Sequence, residues 1–390
     1  MKIKLFVIII LFFSINYIGF NKEQVKKPHK GLSLYNYIYN DLHRAFEYPD
    51  SVICMVINNY YASTISDSIG LLKNMEDVSF SNLNIIEFPE SFFLLQNISE
   101  LRLFNCRYLD YKLFFKNLKN LLHLKTLRIE DANLNDFPDG IVELESLENL
   151  ELDNCSIRYI PESINKLTNL EHLTLSNNKI NSIPNFLKLP NLIGLGLSLN
   201  NIILFPESLE GLPNLKGIDL DENNFTDLDA IIKMLSKNKS LTGLGVRWNH
   251  INKIPNSISL LENIEALSFD FNNISYLPDS IMKLNKLKEI SLSNNEFTQF
   301  PSQLLKIENL EDIDLENNKI TYIPDSISLL TNLEYINLTS NPIRNLPKSL
   351  SDLKKLYLIW IDDTNVDTND IDYIKSRISK ISIWNKKKKN

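Results

Sequence analysis

The chain is poor in the residues on which most catalytic and disulfide-rich scaffolds depend. Only ten of its 390 residues are glycine, and neither a G-x-x-x-x-G-K-[ST] nor a G-x-G-x-x-G phosphate-binding stretch occurs. Three cysteines exclude a disulfide-dense scaffold and any four-cysteine zinc module. The five histidines, His29, His43, His123, His172 and His250, form no H-E-x-x-H or clustered metal spacing. Positive charge is also scarce. Forty-one Lys and Arg face 48 Asp and Glu, for a net charge of −7, which argues against a general nucleic-acid binder. After residue 20 no segment is long and apolar enough to span a bilayer. These absences point to a chain without enzymatic activity, cofactor or nucleic-acid ligand. The composition itself, 44% hydrophobic and 23% charged, is that of an ordered globular protein.

Residues 1–20 differ from the rest. Lys2 and Lys4 precede an apolar run from Leu5 to Phe13 that continues less purely to Phe20. A short basic flank and a compact apolar core make the pattern of a secretory signal. No small-x-small cleavage pair is clear, and no Cys comes after the run that would carry a lipid anchor. An uncleaved anchor or a buried first helix are the alternatives.

Most of the remaining chain is one repeated unit. Leu170, Leu173, Leu175, Asn178, Ile180, Ile183 and Pro184 define a frame. The frame recurs from residues 52, 75, 98, 124, 147, 170, 192, 215, 241, 264, 287, 310, 333 and 356, mostly at 23-residue steps, with one step of 22 and two of 26. Positions 4 and 6 alternate with polar residues, so each repeat predicts a short strand with one buried face. Asn at position 9 suits the bonding of backbone groups inside the coil. A buried backbone group left unpaired there would cost about 1–3 kcal/mol. Pro at position 15 suits a turning return segment. The two 26-residue steps lack that Pro, and 113–122 and 230–235 instead read as short helices. Position 9 departs from Asn early, as Tyr60, Leu83, Cys106, Ala132 and Cys155, which predicts less regular and less stable first coils. Cys106 and Cys155 lie two coils apart, about 10 Å at ordinary strand spacing and beyond disulfide reach.

The frame identifies the chain as a member of the leucine-rich repeat family. The lead-in Leu42, Ala45, Pro49, Val52 and the turns Ile160-Pro161-Glu162-Ser163-Ile164 and Ile323-Pro324-Asp325-Ser326-Ile327 resemble exported bacterial proteins of that family. The 23-residue step is similar to the plant-intracellular and Ras-binding group. The resemblance implies an α/β solenoid, a horseshoe with a parallel β-sheet on its concave face, used for protein recognition. Its ends should be capped. Ile38, Leu42, Ala45 and Phe46 lie at helical spacing before Pro49, within a cap region of 21–51. The repeats run from 52 to 369. Ile371, Ile374 and Ile378 then suggest a cap helix, Ile381, Ile383 and Trp384 a closing strand, and Lys386–Lys389 a basic tail.

Frame positions 2, 3, 5, 7 and 8 should face solvent on the concave side. Across fourteen repeats they hold 22 Asp or Glu and only 6 Lys or Arg, so the charge is polarised and attracts a basic partner. Gly194, Gly196, Gly217, Gly243 and Gly245 fall at these positions in three adjacent repeats, where in-strand glycine marks close approach by another backbone. Leu199, Trp248 and Phe271 stand at position 8 beside this floor, with Arg247, Asp219, Asp221, Glu222 and Asp270 around it. Aromatics and Arg are enriched in interface hot spots. The bland alternative is drifted small residues with aromatics packing on each other. The next candidate surface surrounds Asp312, Asp314 and Glu316.

Three functions are compatible with these features. The first is an exported recognition module binding a protein or peptide on the concave face. The second is a structural or adhesive surface protein. The third is an intracellular regulatory scaffold, which requires residues 5–20 not to be a signal.

Overall fold

Eight of the return turns begin at a proline. Pro89, Pro138, Pro161, Pro255, Pro278, Pro301, Pro324 and Pro347 each stand at the entry of a five-residue 3₁₀ turn. There the fixed φ is already correct and a missing N–H costs nothing. Where the longer repeats lack proline the turn becomes an α-helix, at Tyr111–Leu118, ending four residues short of the expected 113–122, and at Asp229–Leu235, against an expected 230–235. These features come from a computed structural model, which describes residues 38–39, 42–58, 63–203, 205–207, 209–378 and 381–385. The predicted signal, Tyr60, His29 and the lysine tail lie outside the described residues. No helix among the described residues is long and apolar enough to cross a membrane.

The described residues divide into two units, those up to 203 with 211–215, and those of 205–210 with 216 onward. In the first, β1 (Ile38–Tyr39), β2 (Cys54–Asn58), β3 (Asp77–Ser81), β4 (Glu100–Phe104), β5 (Thr126–Glu130), β6 (Asn149–Asp153), β7 (His172–Thr174) and β8 (Gly194–Gly196) pair in order, all parallel. In the second, β9 (Gly217–Asp219), β10 (Gly243–Gly245), β11 (Ala266–Ser268), β12 (Glu289–Ser291), β13 (Asp312–Asp314), β14 (Tyr335–Asn337), β15 (Leu358–Trp360) and β16 (Ser382–Trp384) do the same. The fold class is therefore the predicted α/β solenoid. From β2 to β15 every strand begins at position 3 of its frame. The side chains at positions 4 and 6, such as Leu173, Leu175, Ile290 and Leu292, are fully buried. That leaves positions 3 and 5 on the sheet's other, open face.

Asn at position 9 works as its chemistry requires. Asn178 Nδ2 donates to the carbonyls of Leu152 (2.7 Å), Leu175 (3.0 Å) and Ser176 (2.9 Å), and Oδ1 accepts the N–H groups of Cys155 (3.1 Å) and Ile157 (2.9 Å). The pattern repeats at Asn200, Asn272, Asn295, Asn318 and Asn341. In the early coils Cys substitutes weakly. Cys155 Sγ donates to the carbonyls of Asp153 (3.2 Å) and Ile129 (3.5 Å).

Two expectations are corrected. The early coils are not less regular: β2 to β6 pair through five residues, whereas β7 to β15 have three. Asn in the later coils takes the carbonyls of positions 6 and 7 with N–H donors, while in the early coils Cys106 and Cys155 reach carbonyls at those positions only with the weaker S–H. At the start, Ile38 is not on the cap helix. It pairs with Cys54 in a parallel strand, and the helix α1 is confined to Leu42–Glu47. At the far end the cap helix, Thr368–Arg377, buries Ile371 and Ile374.

Candidate functional site

The residues expected to form a binding surface fall into two sets. Gly194, Gly196 and Leu199 belong to the first unit, on and after β8, where His172 and Thr174 of β7 stand beside the two glycines. The other members, with Gly217, belong to the second unit, on and after β9, β10 and β11. There Gly217, Gly243 and Ala266 form one row across the strands, and Asp219, Gly245 and Ser268 the next.

Position 8 proves to be a special backbone position. Its residue has φ between 50° and 58° in every coil from Asn82 to Asp363, the left-handed region that Asn and Asp tolerate and bulky side chains avoid. Six coils place Asn there, namely Asn82, Asn105, Asn154, Asn177, Asn294 and Asn317. Leu199, Glu222, Trp248 and Phe271 hold the same conformation without that local compensation. The recurrent Asn was visible in the sequence, so the signal for these exceptions was present.

Trp248 and Phe271 stack on each other, with ring centroids 3.7 Å apart and planes 9° from parallel. Stacking satisfies one face of each ring only. Trp248 remains 52% exposed and Phe271 36%, while Leu199 is 42% exposed.

The acids around the pair are not the solvent-facing ring expected. Asp219, Asp221 and Asp270 are buried, because short side chains on the open face reach the neighbouring strand instead of water. Asp221 accepts the Arg247 N–H (2.6 Å) and its Nε–H (2.5 Å). Asp219 accepts the Asp221 N–H at 3.0 Å. Asp270 accepts the hydroxyls of Ser268 (2.9 Å), Ser291 and Ser293 (2.9 Å), and the Ser293 N–H (2.9 Å). Burial pushes Asp219 well above the ordinary carboxylate range, and the charge of Asp221 adds to it. Asp221 is raised by burial too, opposed by Arg247. Asp221 thus fixes Arg247, and Asp219 and Asp270 tie down the strand ends that precede Glu222 and Phe271. Glu222 is exposed.

Further along the same face, Asp314 accepts the Glu316 N–H (2.8 Å) and Asn337 Nδ2 (3.1 Å). Sequence reasoning reached Asp312, Asp314 and Glu316 but missed Glu289, which stands 23 residues before Asp312 and directly beside it in register. The three cysteines are held as thiols, Cys54 and Cys155 pushed up to about 12 and Cys106 to about 11, chiefly by burial.

Comparison with known proteins agrees with this architecture. A structure of a leucine-rich repeat protein from Leptospira interrogans superposes with a TM-score of 0.69 at 23% identity, covering 89% of this chain and 99% of that one. The Listeria monocytogenes internalin inlF superposes at 0.53 and 16% identity, over 88% and 89%. A TLR13 complex with ssRNA13 gives 0.55 and 20%, over 84% of this chain and 58% of the other. No curated protein matches the chain by sequence. The model of a leucine-rich repeat region matches residues 98–237, and that of the leucine rich repeat matches 297–343 and 308–365. With the frame, the coil and the solved relatives in agreement, the chain belongs to the leucine-rich repeat family.

Proposed function

We propose that this chain is a non-enzymatic recognition module that binds a protein or peptide on the open face of the second unit's sheet, anchored on Trp248 and Phe271. Leucine-rich repeat arrays are in general scaffolds for protein interaction. The observation that carries the reading is the aromatic pair itself. Two bulky side chains occupy left-handed backbone positions, which costs stability, and still leave large apolar area in water. Such strain persists where the surroundings over-determine it and clusters at binding sites. Glycine at Gly217, Gly243 and Gly245 keeps the neighbouring strands low, so a partner backbone can lie close to the sheet. Arg247, held by Asp221, adds a directed cation at the rim. The carboxylates of this face repel phosphate, so a protein partner with basic character suits it better than the nucleic acid held in the TLR13 complex.

The N-terminal pattern supports an exported chain. Fractionation of cells carrying a C-terminally tagged chain tests this, and retention in the cytoplasm would remove it. Binding is tested with peptides selected by display against the full chain. Losing one buried aromatic anchor costs about 2 kcal/mol, so Trp248→Ala should weaken binding about 30-fold without changing the fold. Equal affinity for the variant and the parent would place the contact elsewhere.

A further inference from the structure

Six acidic residues are buried on the open face of the second unit: Asp219, Asp221, Asp270, Glu289, Asp312 and Asp314. Four of them are satisfied by the hydrogen bonds and the ion pair already described. Glu289 and Asp312 are not. They are only 6% and 8% exposed, and among the described residues neither carboxylate accepts a hydrogen bond or pairs with a cation. They stand directly opposite each other on β12 and β13, both at position 3, so two like charges share the narrowest separation the sheet offers. The nearest cation, Lys288, is engaged with Glu265 at 2.6 Å. Glu311 and Glu334, which flank the pair along the position-2 row, add negative charge rather than relieve it.

Neither carboxylate is sealed from water, since none of their oxygens is among the fully enclosed side-chain atoms without a partner, but two acids held side by side with little solvent and no proton donor from the protein are costly. The sheet could have removed that cost with Ser or Asn, as it does at Ser291 and Asn337 in the adjoining row. No described group of three or more His, Cys, Asp or Glu could hold a metal ion. Next in register are Ala266 beside Glu289 and Tyr335 beside Asp312, and the Tyr335 ring also meets the Trp360 ring in a T-shaped contact at 6.4 Å. A small residue and an aromatic one on either side of two carboxylates fit a flat, delocalised cation. We propose that Glu289 and Asp312 form a subsite for the guanidinium of an arginine side chain on the bound peptide. Its fork of N–H donors matches two carboxylates, and its plane can lie against Tyr335.

This inference rests on the peptide-binding reading of the same face and identifies one feature of the partner. It also carries a pH signature. Burial, then Asp312, pushes Glu289 up to about 8. Burial, then Glu334, pushes Asp312 up to about 7. The groups around the pair are Glu265, Lys288, Glu311, Glu334, Tyr335 and Tyr357. Below pH 7 the empty pair holds protons that arginine must displace, so affinity should rise with pH toward 8.5.

The test uses a fluorescent triarginine peptide and its neutral citrulline counterpart, with the full chain, at pH 6 and 8.5. The parent protein should prefer arginine at least tenfold at pH 8.5 and less at pH 6. Glu289→Gln with Asp312→Asn should abolish the preference. A control with the same charge change on the exposed turns, Asp279→Asn with Asp325→Asn, should keep it. The single Glu289→Gln, close in shape to the parent, should lose most of it. Equal binding of the two peptides by the parent would overturn the proposal. So would a preference that survives in the pair variant or is lost equally in the control. Trp248→Ala should weaken both peptides alike. If it weakens neither while the pair variant loses its arginine preference, the cation subsite stands and the aromatic anchor falls.

Discussion

The open faces of the coils at 75–153 and at 287–337 are both acidic, and they handle that charge in opposite ways. On the first, Arg102 contacts Asp77 at 2.6 Å and also Glu100, and Arg128 contacts Glu151 at 2.7 Å. On the second no arginine is present, and Glu289 and Asp312 have no partner among the described residues. Position 8 divides along a similar line. The early face places Asn82, Asn105, Asp131 and Asn154 in the left-handed conformation, and the coils at 287–337 likewise place Asn294 and Asn317 there, whereas the coils before them in the second unit place Glu222, Trp248 and Phe271. One surface is arranged for its own stability. The other leaves Glu289 and Asp312 without a protein partner among the described residues, next to coils whose position-8 residues are bulky.

Breaking the internal compensation of the first face should have the largest effect. Arg128→Met leaves Glu151 buried beside Glu130 and Asp153, and burial and those charges already push Asp153 up to about 7. The loss should be about 3 kcal/mol of unfolding free energy by urea titration, with peptide affinity unchanged. Trp248→Ala should show the reverse, a loss of about 30-fold in binding with the urea midpoint nearly unmoved. Next comes the second face's charge. Glu289→Gln with Asp312→Asn should raise stability by about 1–2 kcal/mol at pH 8. The sign comes from proton linkage. Both acids have folded-state pKa values above their unfolded values, so the folded chain binds more protons and stability falls as pH rises from about 4 to about 8. Thermal melts across that range should slope downward for the parent and less so for the variant. The smallest effect concerns backbone strain. Leu199→Asn should stabilise by about 0.5–1 kcal/mol, since Asn accepts a positive φ more readily than Leu.

Much of this contrast was legible in the sequence because a strict period fixes the register. Once residues 23 apart are known to be neighbours, Asn178 to Asn341 must form a ladder and positions 4 and 6 must form the core. Pattern reading missed features that depend on depth or on very short elements. Ile38 fits a helical face with Leu42 and Ala45, and a two-residue strand carries no periodicity to oppose that reading. The frame shows that Asp219, Asp221 and Asp270 lie on the open face. It does not show that serines and Arg247 on adjoining strands bury them there. Trp248 and Phe271 were found by residue type. The backbone strain that sets them apart required φ, although six Asn at the same position pointed to it.

If the aromatic pair of the second unit is the recognition surface, a bound peptide must cover it. Hydroxyl-radical footprinting of the full chain reads that cover, with and without a display-selected peptide, because Trp248, Phe271 and Trp384 are all exposed and oxidisable. The peptide should protect Trp248 and Phe271 and leave Trp384 as reactive as before. Unchanged oxidation of Trp248 and Phe271, with protection on the proline turns or at Trp384, would refute the pair's role.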